Sequence, residues 1–306
     1  MEFVHKSVLF EETIDALNLK DGMTVADGTS GGGGHSRAIA EKIGRGRLFS
    51  IDRDPDAVKV LNERLAQFDN VTVVNDRFSN IKSILKQYNE EKLDAFLLDL
   101  GVSSFQLDNA ERGFSFHNDA PLDMRMSKSG LSAYDVVNTY SEQELANVIF
   151  KYGEEKFARR IAGNIVRQRK EKPIETTLEL VDVIKKSMPM KAMRDSHPAR
   201  RTFQAIRIEV NGELKELENA LDDAFECLSS GGRIAVITFH SLEDRIVKEK
   251  FASWTKGCTC PKDFPICVCG NKPKGKLPFK SKTPSEAELE ENPRARSSRL
   301  RVFEKF

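Results

Sequence analysis

Three aspartates stand directly after apolar runs in the first hundred residues of the chain, at Asp27, Asp52 and Asp99. If these runs are parallel strands, their carboxyl ends meet at one edge of a sheet, and the three carboxylates lie near one another. A carboxylate at such an edge can accept hydrogen bonds from ribose hydroxyls or face a cationic group. We expect Asp52 to contact a ribose. The alternative is that Asp52 is the N-cap of the next helix, which starts near Asp54-Pro55.

A glycine-rich loop follows Asp27, with four consecutive glycines at 31–34 and then His35. Glycine allows the backbone to approach a nucleotide-like ligand closely, and a merely structural turn would not need so many glycines, given their entropic cost on folding. The loop lacks the clean G-x-G-x-x-G spacing of a dinucleotide site. Asp27 can meet the ammonium of S-adenosylmethionine, so the loop favours that cofactor.

Other polar and aromatic residues follow further apolar runs. Phe78 can pack on an adenine, with a place in the core as the alternative. Asp99 is our first candidate for a catalytic or cofactor-binding group, and His240 is the second because it leaves a predicted strand at the same sheet edge. Glu243 and Asp244 come next, with charge stabilisation of a helix N-terminus as their alternative.

These residues need a sheet to position them. Over the first hundred residues, short apolar runs alternate with helical patterns, which predicts a parallel sheet with helices on both faces. Residues 107–211 show helical periodicity, with a capping-box pattern at Ser141–Glu144. Strands are predicted again at 233–239 and 300–303, and a long or partly disordered loop at 256–297. The predicted fold class is a doubly wound α/β sheet interrupted by an all-helical insert.

The charge of the chain is unevenly distributed, although the net charge is only +1. Residues 151–207 carry 15 Lys and Arg against 7 Asp and Glu, and residues 255–283 carry 7 against 1. Such patches fit a polyanion-binding face, with solvated helix faces as the alternative. No apolar run approaches the ~20 residues of a membrane span, and the first residues show no signal pattern, so we expect a cytoplasmic protein.

Several long blocks resemble the MraW (RsmH) methylase family in the family's own order and over nearly the whole chain. The blocks are DGTSGGGGHSR (27–37), LDLGVSSFQL (98–107), RGFSF (112–116), PLDMRM (121–126), PARRTFQAIRIEV (198–210), TFHSLEDRIVK (238–248) and NPRARSSRLR (292–301). The resemblance implies a class I S-adenosylmethionine-dependent methyltransferase fold with a helical insert. It also implies methylation of the N4 amine of a cytidine in the decoding region, at the P site, of 16S rRNA in the small ribosomal subunit.

The resemblance also assigns residues and domains. It implies cofactor contacts at Gly33, Gly34, His35, Asp52, Phe78, Asp99 and Gln106. Residues 1–106 and 212–306 would form the methyltransferase domain, and residues 107–211 the substrate-recognition insert. Candidate RNA contacts are Arg112, Arg125, Arg200 and Arg201, with Phe114 or Phe116 as stacking surfaces or, alternatively, core residues. We expect the assembled or nearly assembled subunit as substrate, and either a monomer or a homodimer.

The end of the predicted strand before Asp99 lacks a motif that DNA amino-methyltransferases have at the corresponding position. DNA amino-methyltransferases carry a D/N/S-P-P-aromatic motif there, whereas this chain has Asp99-Leu100-Gly101-Val102. The identity of the group that holds the amine therefore stays open between Asp99 and the residues around His240.

Five cysteines form two groups. Cys227 lies alone in an apolar helical stretch and is expected to be a small core residue. Cys258, Cys260, Cys267 and Cys269 fall within 12 residues, which suggests a zinc site in a reducing compartment. Their C-x-C spacing differs from the usual C-x₂-C, so unligated thiols or an oxidation-prone loop are the alternatives.

Three other functions compete with rRNA methylation. A methyltransferase acting on DNA or a small molecule is disfavoured by the basic insert and the missing P-P-aromatic motif. A non-catalytic RNA-binding factor is disfavoured by the intact Asp27, Asp52 and Asp99. A nicotinamide-dependent dehydrogenase is disfavoured by the glycine spacing. Comparing the binding of a nicotinamide cofactor with that of S-adenosylmethionine would distinguish this function from methylation.

Overall fold

The computed structural model describes residues 7–194, 197–261, 264, 266 and 268–306. Its contacts divide the chain into two compact units, one of residues 1–101 and 214–306 and the other of residues 102–213. The sequence-based boundaries at 106/107 and 211/212 lie a few residues from these positions.

The strands and helices alternate first and then separate along the chain. The strands are β1 Thr24–Asp27, β2 Arg47–Asp52, β3 Val71–Asn75, β4 Leu93–Asp99, β5 Leu228–Thr238, β6 Gly275–Lys276 and β7 Arg299–Lys305. The helices are α1 Phe10–Leu17, α2 Gly34–Ile43, α3 Pro55–Arg64, α4 Ile81–Gln87, α5 Ser104–Asp108, α6 Ala133–Thr139, α7 Glu142–Gly153, α8 Ala158–Glu171, α9 Thr177–Ser187, α10 Arg200–Asn211, α11 Glu213–Cys227, α12 Ser241–Thr255 and α13 Glu286–Glu291.

The first unit is built on one seven-stranded sheet with the order β3-β2-β1-β4-β5-β7-β6. Strands β1 to β5 pair in parallel, and β7 pairs antiparallel with both β5 and β6. The strand order reverses between β1 and β4, which is the switch point where ligands bind in doubly wound sheets. The predicted fold, a doubly wound α/β sheet interrupted by a helical insert, is confirmed.

Both faces of the sheet are buried, which explains why its strands are nearly continuous apolar runs. Neighbouring residues of β4 project to opposite sides. Phe96 and Leu98 belong to one core cluster, which also contains the α11 residue Leu217. Leu97 belongs to the other cluster, together with Ile39 of α2.

The structure differs from the sequence-based elements at several points. A helix that the sequence pattern did not predict, α1, precedes β1. Strand β5 begins at Leu228, before the predicted start at residue 233, and its pairing with β4 is irregular in this part. The stretch 256–297, predicted as a loop, contains β6 and α13.

In the second unit, the regular elements of the described residues are helices, apart from one isolated bridge between Pro121 and Thr176. The predicted capping box is confirmed: the Ser141 hydroxyl accepts from the backbone N–H of Glu144, whose carboxylate accepts from Ser141. The apolar faces of α6 to α10 bury a separate core, which includes Leu145, Ile161 and Phe203.

Among the residues that the structure describes, none of the helices combines the length and the apolar character that a membrane crossing requires.

Candidate active site

Asp27, Asp52 and Asp99 are the last residues of β1, β2 and β4, three neighbouring strands of the sheet. Asp27 is in register with Ser50 of β2 and Leu97 of β4. The three carboxylates therefore share one edge of the sheet, on both sides of the switch point, as the sequence pattern predicted.

Asp27 is almost fully buried and its carboxylate is held by its own loop and helix. One oxygen accepts from the Ser36 hydroxyl at 2.6 Å, and the other accepts from the backbone N–H of Thr29 at 3.2 Å. Burial raises the pKa of Asp27 to about 6, although the hydrogen bonds from Ser36 and Thr29 oppose the shift. Ser36 was not expected from the sequence to be a positioning residue, although it lies inside the glycine-loop motif.

Asp52 ties the glycine loop to the end of β2. Its two oxygens accept from the backbone N–H groups of Gly31 and Asp54, each at 2.8 Å. The N-cap of α3 is Asp54, whose side chain accepts from Asp56, so the capping role considered for Asp52 belongs to its neighbour. Burial raises the pKa of Asp52 to about 6, against the opposing effect of the two hydrogen bonds.

Asp99 is the most perturbed of the three acids. Its backbone N–H donates to the Thr29 hydroxyl at 2.5 Å, which fixes the end of β4 to the loop after β1. Its Oδ1 atom is buried and has no hydrogen-bond partner within the described part of the chain. Burial, followed by the negative charges of Asp27 and Glu243, raises the pKa of Asp99 well above its usual value. A buried acceptor in this condition fits a donor that arrives with a ligand or substrate.

The glycine loop turns sharply before α2. Gly33 is the N-cap of α2 and has φ 82°, a left-handed conformation that favours glycine. A Cβ at Gly28 would lie 2.7 Å from the Leu98 side chain and 2.8 Å from Cβ of Phe78, so the loop packs directly on both. Gly34 begins α2, whose first N–H groups provide donors for an anionic or carbonyl group.

His35 and Phe78 flank this loop. The imidazole of His35 is buried and stacks on Phe10, with ring centroids 5.5 Å apart. Phe78 begins a 3-10 turn after β3 and is partly buried against the core cluster that contains Phe96. Its partial exposure beside Gly28 leaves both the core and the adenine-packing interpretations of Phe78 compatible with the structure.

His240 is the N-cap of α12, directly after β5. Its ring nitrogen accepts from the backbone N–H of Glu243 at 3.4 Å, and the buried Glu243 carboxylate accepts from the N–H groups of Phe239 and His240. Asp244 instead pairs with Arg301 of β7 at 2.6 and 3.0 Å. Glu243 therefore has the role that was considered as the alternative, at the N-terminus of a helix. The carboxylate of Asp244 is paired with an arginine.

Several candidates in the second unit serve its internal structure. Gln106 closes a capping box with Ser103, and its side-chain oxygen accepts from the Ser103 N–H at 3.1 Å. Arg112 was expected on an RNA-binding surface, but it is buried, and its guanidinium donates to the carbonyls of Arg125 and Met126 at 2.9 and 3.0 Å. Phe114 is a buried member of the helical core.

The other basic candidates are more accessible. Arg200 and Arg201 are exposed in the first turn of α10. Arg125 is partly exposed and forms a bidentate pair with Asp123 at 2.6 and 3.1 Å. Phe116 is partly buried and stacks on His197, with ring centroids 4.5 Å apart.

The described cysteines of the 258–269 stretch lie close together. The sulfur atoms of Cys258, Cys260 and Cys269 all lie within 4.8 Å of one another. Cys267 lies outside the described residues. Hydrogen bonds from Thr259 and Asn271 lower the pKa of the Cys269 thiol to about 5. Cys227 is buried in the core, as predicted.

The chain is similar to known proteins over almost its whole length. The model of the MraW methylase family matches residues 2–306. Proteins named ribosomal RNA small subunit methyltransferase H are 54% identical in Clostridium botulinum (strain Kyoto / Type A2), over 100% of both chains, and 53% identical in Lachnospira eligens, over 100% of this chain and 99% of that one. An rRNA methylase structure from Streptococcus thermophilus is 11% identical, covers 97% of this chain and 93% of its own, and gives a TM-score of 0.43.

The family match extends over almost the full length of the chain. Two of the blocks that carried the resemblance, 27–37 and 98–107, contain Asp27 and Asp99, the last residues of β1 and β4. The expected methyl donor, S-adenosylmethionine, is confirmed by the family and the fold, and so is methylase chemistry. This chain belongs to the MraW methylase family.

Proposed function

We propose that the chain methylates the N4 amine of a cytidine in the decoding region, at the P site, of 16S rRNA in the small ribosomal subunit, a substrate that implies a cytoplasmic enzyme. Full-length relatives named ribosomal RNA small subunit methyltransferase H support the rRNA substrate. The buried Oδ1 of Asp99, which has no partner among the described residues, carries the chemical part of the proposal. An amine N–H is the donor that such an oxygen needs.

The cofactor site fits a cationic nucleoside. The two raised pKa values of Asp27 and Asp52 show that burial disfavours their charged forms, and a nearby cation would compensate for that cost. Asp52 keeps lone pairs for ribose hydroxyls beyond the two N–H groups that it binds. Gly33, Gly34 and His35 would approach the amino-acid part through their backbone, and Phe78 would pack on the adenine. S-adenosylmethionine supplies an activated methyl group on sulfur.

The protein's task in the reaction is alignment and proton handling. Cytosine N4 is a poor nucleophile because its lone pair is delocalised into the ring, so in-line positioning contributes much of the rate, up to ~7–11 kcal/mol. The N4–carbon bond forms, the carbon–sulfur bond breaks, and one amine proton leaves. Asp99 accepts a hydrogen bond from the amine and stabilises its developing positive charge. Its raised pKa suits a group that takes up this proton near neutral pH.

Two assignments complete the proposed site. His240 is the second candidate for holding the amine because it follows β5, whose residue Ile237 is in register with Asp99. Gln106 would add a further cofactor contact. Its capping bond uses one lone pair of the amide oxygen.

The RNA-binding part of the proposal rests on exposed basic residues. The target base must leave its stack to reach the site. Arg125, Arg200 and Arg201 would contact the RNA backbone, and Phe116 would offer a stacking surface. We omit Arg112 and Phe114 from this set because both are buried in the second unit.

A radiolabelled methyl-transfer assay tests the proposal. The substrates are small subunits from a strain that lacks the enzyme, naked 16S rRNA and duplex DNA, each with wild-type protein and with the Asp99→Asn variant. We expect label on subunit rRNA, recovered as N4-methylcytidine after digestion, and its loss with the variant. Label recovered on a different base atom would refute the N4 assignment, and label on DNA alone would refute the rRNA substrate.

A further inference from the structure

The stretch between α12 and β6 contains a group of side chains that methyl transfer does not use. We define the thiol cluster as Cys258, Cys260 and Cys269. The sulfur atoms of Cys258 and Cys269 are 3.8 Å apart, and all three sulfurs lie within 4.8 Å of one another. A disulfide requires about 2.0 Å between its sulfurs, so Cys258 and Cys269 are not bonded to each other, and their sulfurs lie at a distance suited to sharing a ligand.

The spacing of the thiol cluster matches the geometry of zinc. Tetrahedral zinc bound at about 2.3 Å to each sulfur sets sulfur–sulfur distances of about 3.8 Å. This is the distance between Cys258 and Cys269. The third sulfur, that of Cys260, needs to move by no more than about 1 Å to complete the same arrangement.

Backbone donors already point at all three sulfurs. Cys269 accepts from the N–H groups of Thr259 and Asn271, at 3.3 and 3.5 Å. The N–H of Cys260 donates to Cys258 at 3.4 Å, and the N–H of Val268 donates to Cys260 at 3.4 Å. Sulfur is a weak acceptor as a thiol and a stronger one as an anion, so this pattern favours the thiolates that bind metals.

We propose that the thiol cluster binds a zinc ion through three thiolate sulfurs. Each thiol loses its proton to solvent as the metal binds, and no oxidation or reduction takes place. Sequence spacing offers Cys267 as a fourth ligand, but it lies outside the described residues, so the geometric argument rests on three sulfurs.

The metal has a structural purpose in this stretch. The base of the loop is closed by hydrogen bonds from Lys274 to the Trp254 carbonyl and from the Asn271 side chain to the Gly257 carbonyl. The tip exposes the apolar side chains of Phe264, Ile266 and Val268 instead of burying them. A segment without a core of its own needs a cross-link to hold one conformation, and a structural zinc ion supplies it.

Metal analysis of the full-length protein tests this inference independently of methylation. Protein purified without chelators should contain about one zinc per chain, as structural zinc sites do. The triple variant C258S/C260S/C269S should lose zinc almost completely, whereas the control C227A, which removes only the buried core thiol, should retain it. Thermal melting should show that both variants are folded, because the thiol cluster is at the surface and far in sequence from most of the sheet.

Cobalt substitution supplies a second measurement. Co²⁺ added to metal-free protein should give the intense charge-transfer absorption of a cobalt–thiolate site in wild type and C227A, but not in the triple variant. Wild-type protein that contains no zinc and gives no cobalt–thiolate band would overturn the inference. Zinc retained by the triple variant would also overturn it, as would a native mass showing a disulfide within the cluster in protein isolated under reducing conditions.

Discussion

The Nδ1 atom of His35 lies 3.8 Å from the Oδ2 atom of Asp99, which connects the first turn of α2 to the last residue of β4. The imidazole is held in place by stacking on Phe10. The other carboxylate oxygen, Oδ1, is buried without a hydrogen-bond partner among the described residues. One side of the Asp99 carboxylate thus faces a fixed ring, and the proposed function assigns the target amine to the other side.

Asp99→Asn should separate stability from activity. The amide removes a buried negative charge that the charges of Asp27 and Glu243 disfavour, so the unliganded protein should melt about 2–4 °C higher, the shift expected for about 1 kcal/mol. Methyl transfer should fall by about 100-fold or more. Calorimetry and the methyl-transfer assay measure the two effects. The matched control is Asp69→Asn, at an exposed position just before β3, and it should change neither. Wild-type turnover by the Asp99 variant would contradict the role of this carboxylate.

Cofactor affinity should depend on pH through Asp27 and Asp52, whose pKa values are both raised to about 6. Above this pH both carboxylates are ionised and attract the cationic cofactor, whereas below it they are protonated and neutral. Binding of S-adenosylmethionine, followed by calorimetry, should therefore weaken as the pH falls below about 6, by up to about tenfold per pH unit for each of the two carboxylates. S-adenosylhomocysteine keeps the ammonium and the ribose assigned to Asp27 and Asp52, so its binding should weaken over the same pH range. A cofactor affinity that does not change between pH 7 and pH 5 would count against the proposed electrostatics.

The stability of the unliganded fold should also depend on these two carboxylates, but in the opposite direction. Their contribution to stability should decrease as the pH rises, whereas cofactor affinity should increase. A raised pKa means that the folded state binds the proton more tightly than the unfolded chain. The contribution of Asp27 and Asp52 to stability is therefore fully present below their unfolded pKa of 3.8 and is lost as the pH rises through about 6. Urea unfolding of Asp52→Asn should show a weaker pH dependence than wild type over this range. An unchanged dependence would mean that other groups control it.

Gly28→Ala should destabilise the first unit and displace Phe78, the proposed adenine contact. Its Cβ would lie 2.7 Å from the Leu98 side chain and 2.8 Å from Cβ of Phe78, so packed atoms must move. We expect a loss of about 1–3 kcal/mol in the free energy of unfolding, measured in urea, together with weaker cofactor binding. Gly257→Ala is the control, because its Cβ would make only an ordinary contact with Pro273 at 3.5 Å. Equal stability of the two variants would show that the loop accommodates the methyl group.

Arginine substitutions should distinguish structural from RNA-binding residues in the second unit. Arg112→Ala removes a buried guanidinium that donates to two carbonyls, so it should cost about 2–4 kcal/mol of stability. The double substitution R200A/R201A should leave stability nearly unchanged, because both side chains are exposed. It should weaken RNA binding and lower the slope of log affinity against log salt by about 1 for each phosphate group that the variant no longer neutralises. An unchanged salt slope in filter binding would remove these two arginines from the interface.

The sequence was most informative where a local pattern of residues also determines where a side chain lies in the folded protein. The ends of β1, β2 and β4 could be predicted because each apolar run stops at an aspartate, and the parallel topology then brings the three acids together. The burial of Arg112 could not be predicted in this way. An arginine in a polar stretch looks like a surface residue, and only the long-range fold shows that two backbone carbonyls require its guanidinium.

Two polar candidates from the sequence also complete the caps of helices. Gln106 and Glu243 both occupy the third position of a helix whose N-cap they complete, at Ser103 and His240. A capping residue and a ligand-binding residue have the same polar side chains, so residue type alone does not separate them. The short helix α13 was missed because the surrounding Pro, Lys and Gly residues dominate the composition of that stretch.

The pairing of β4 with β5 determines when the sheet can be completed during synthesis. Asp99 and Ile237 are register partners, but the whole second unit is translated between them. At about 5–20 residues per second, the edge of β4 that will accept β5 stays unpaired for on the order of ten seconds. An unpaired apolar strand edge is a site of aggregation, so the nascent chain passes through an interval in which chaperone protection of β4 would matter most.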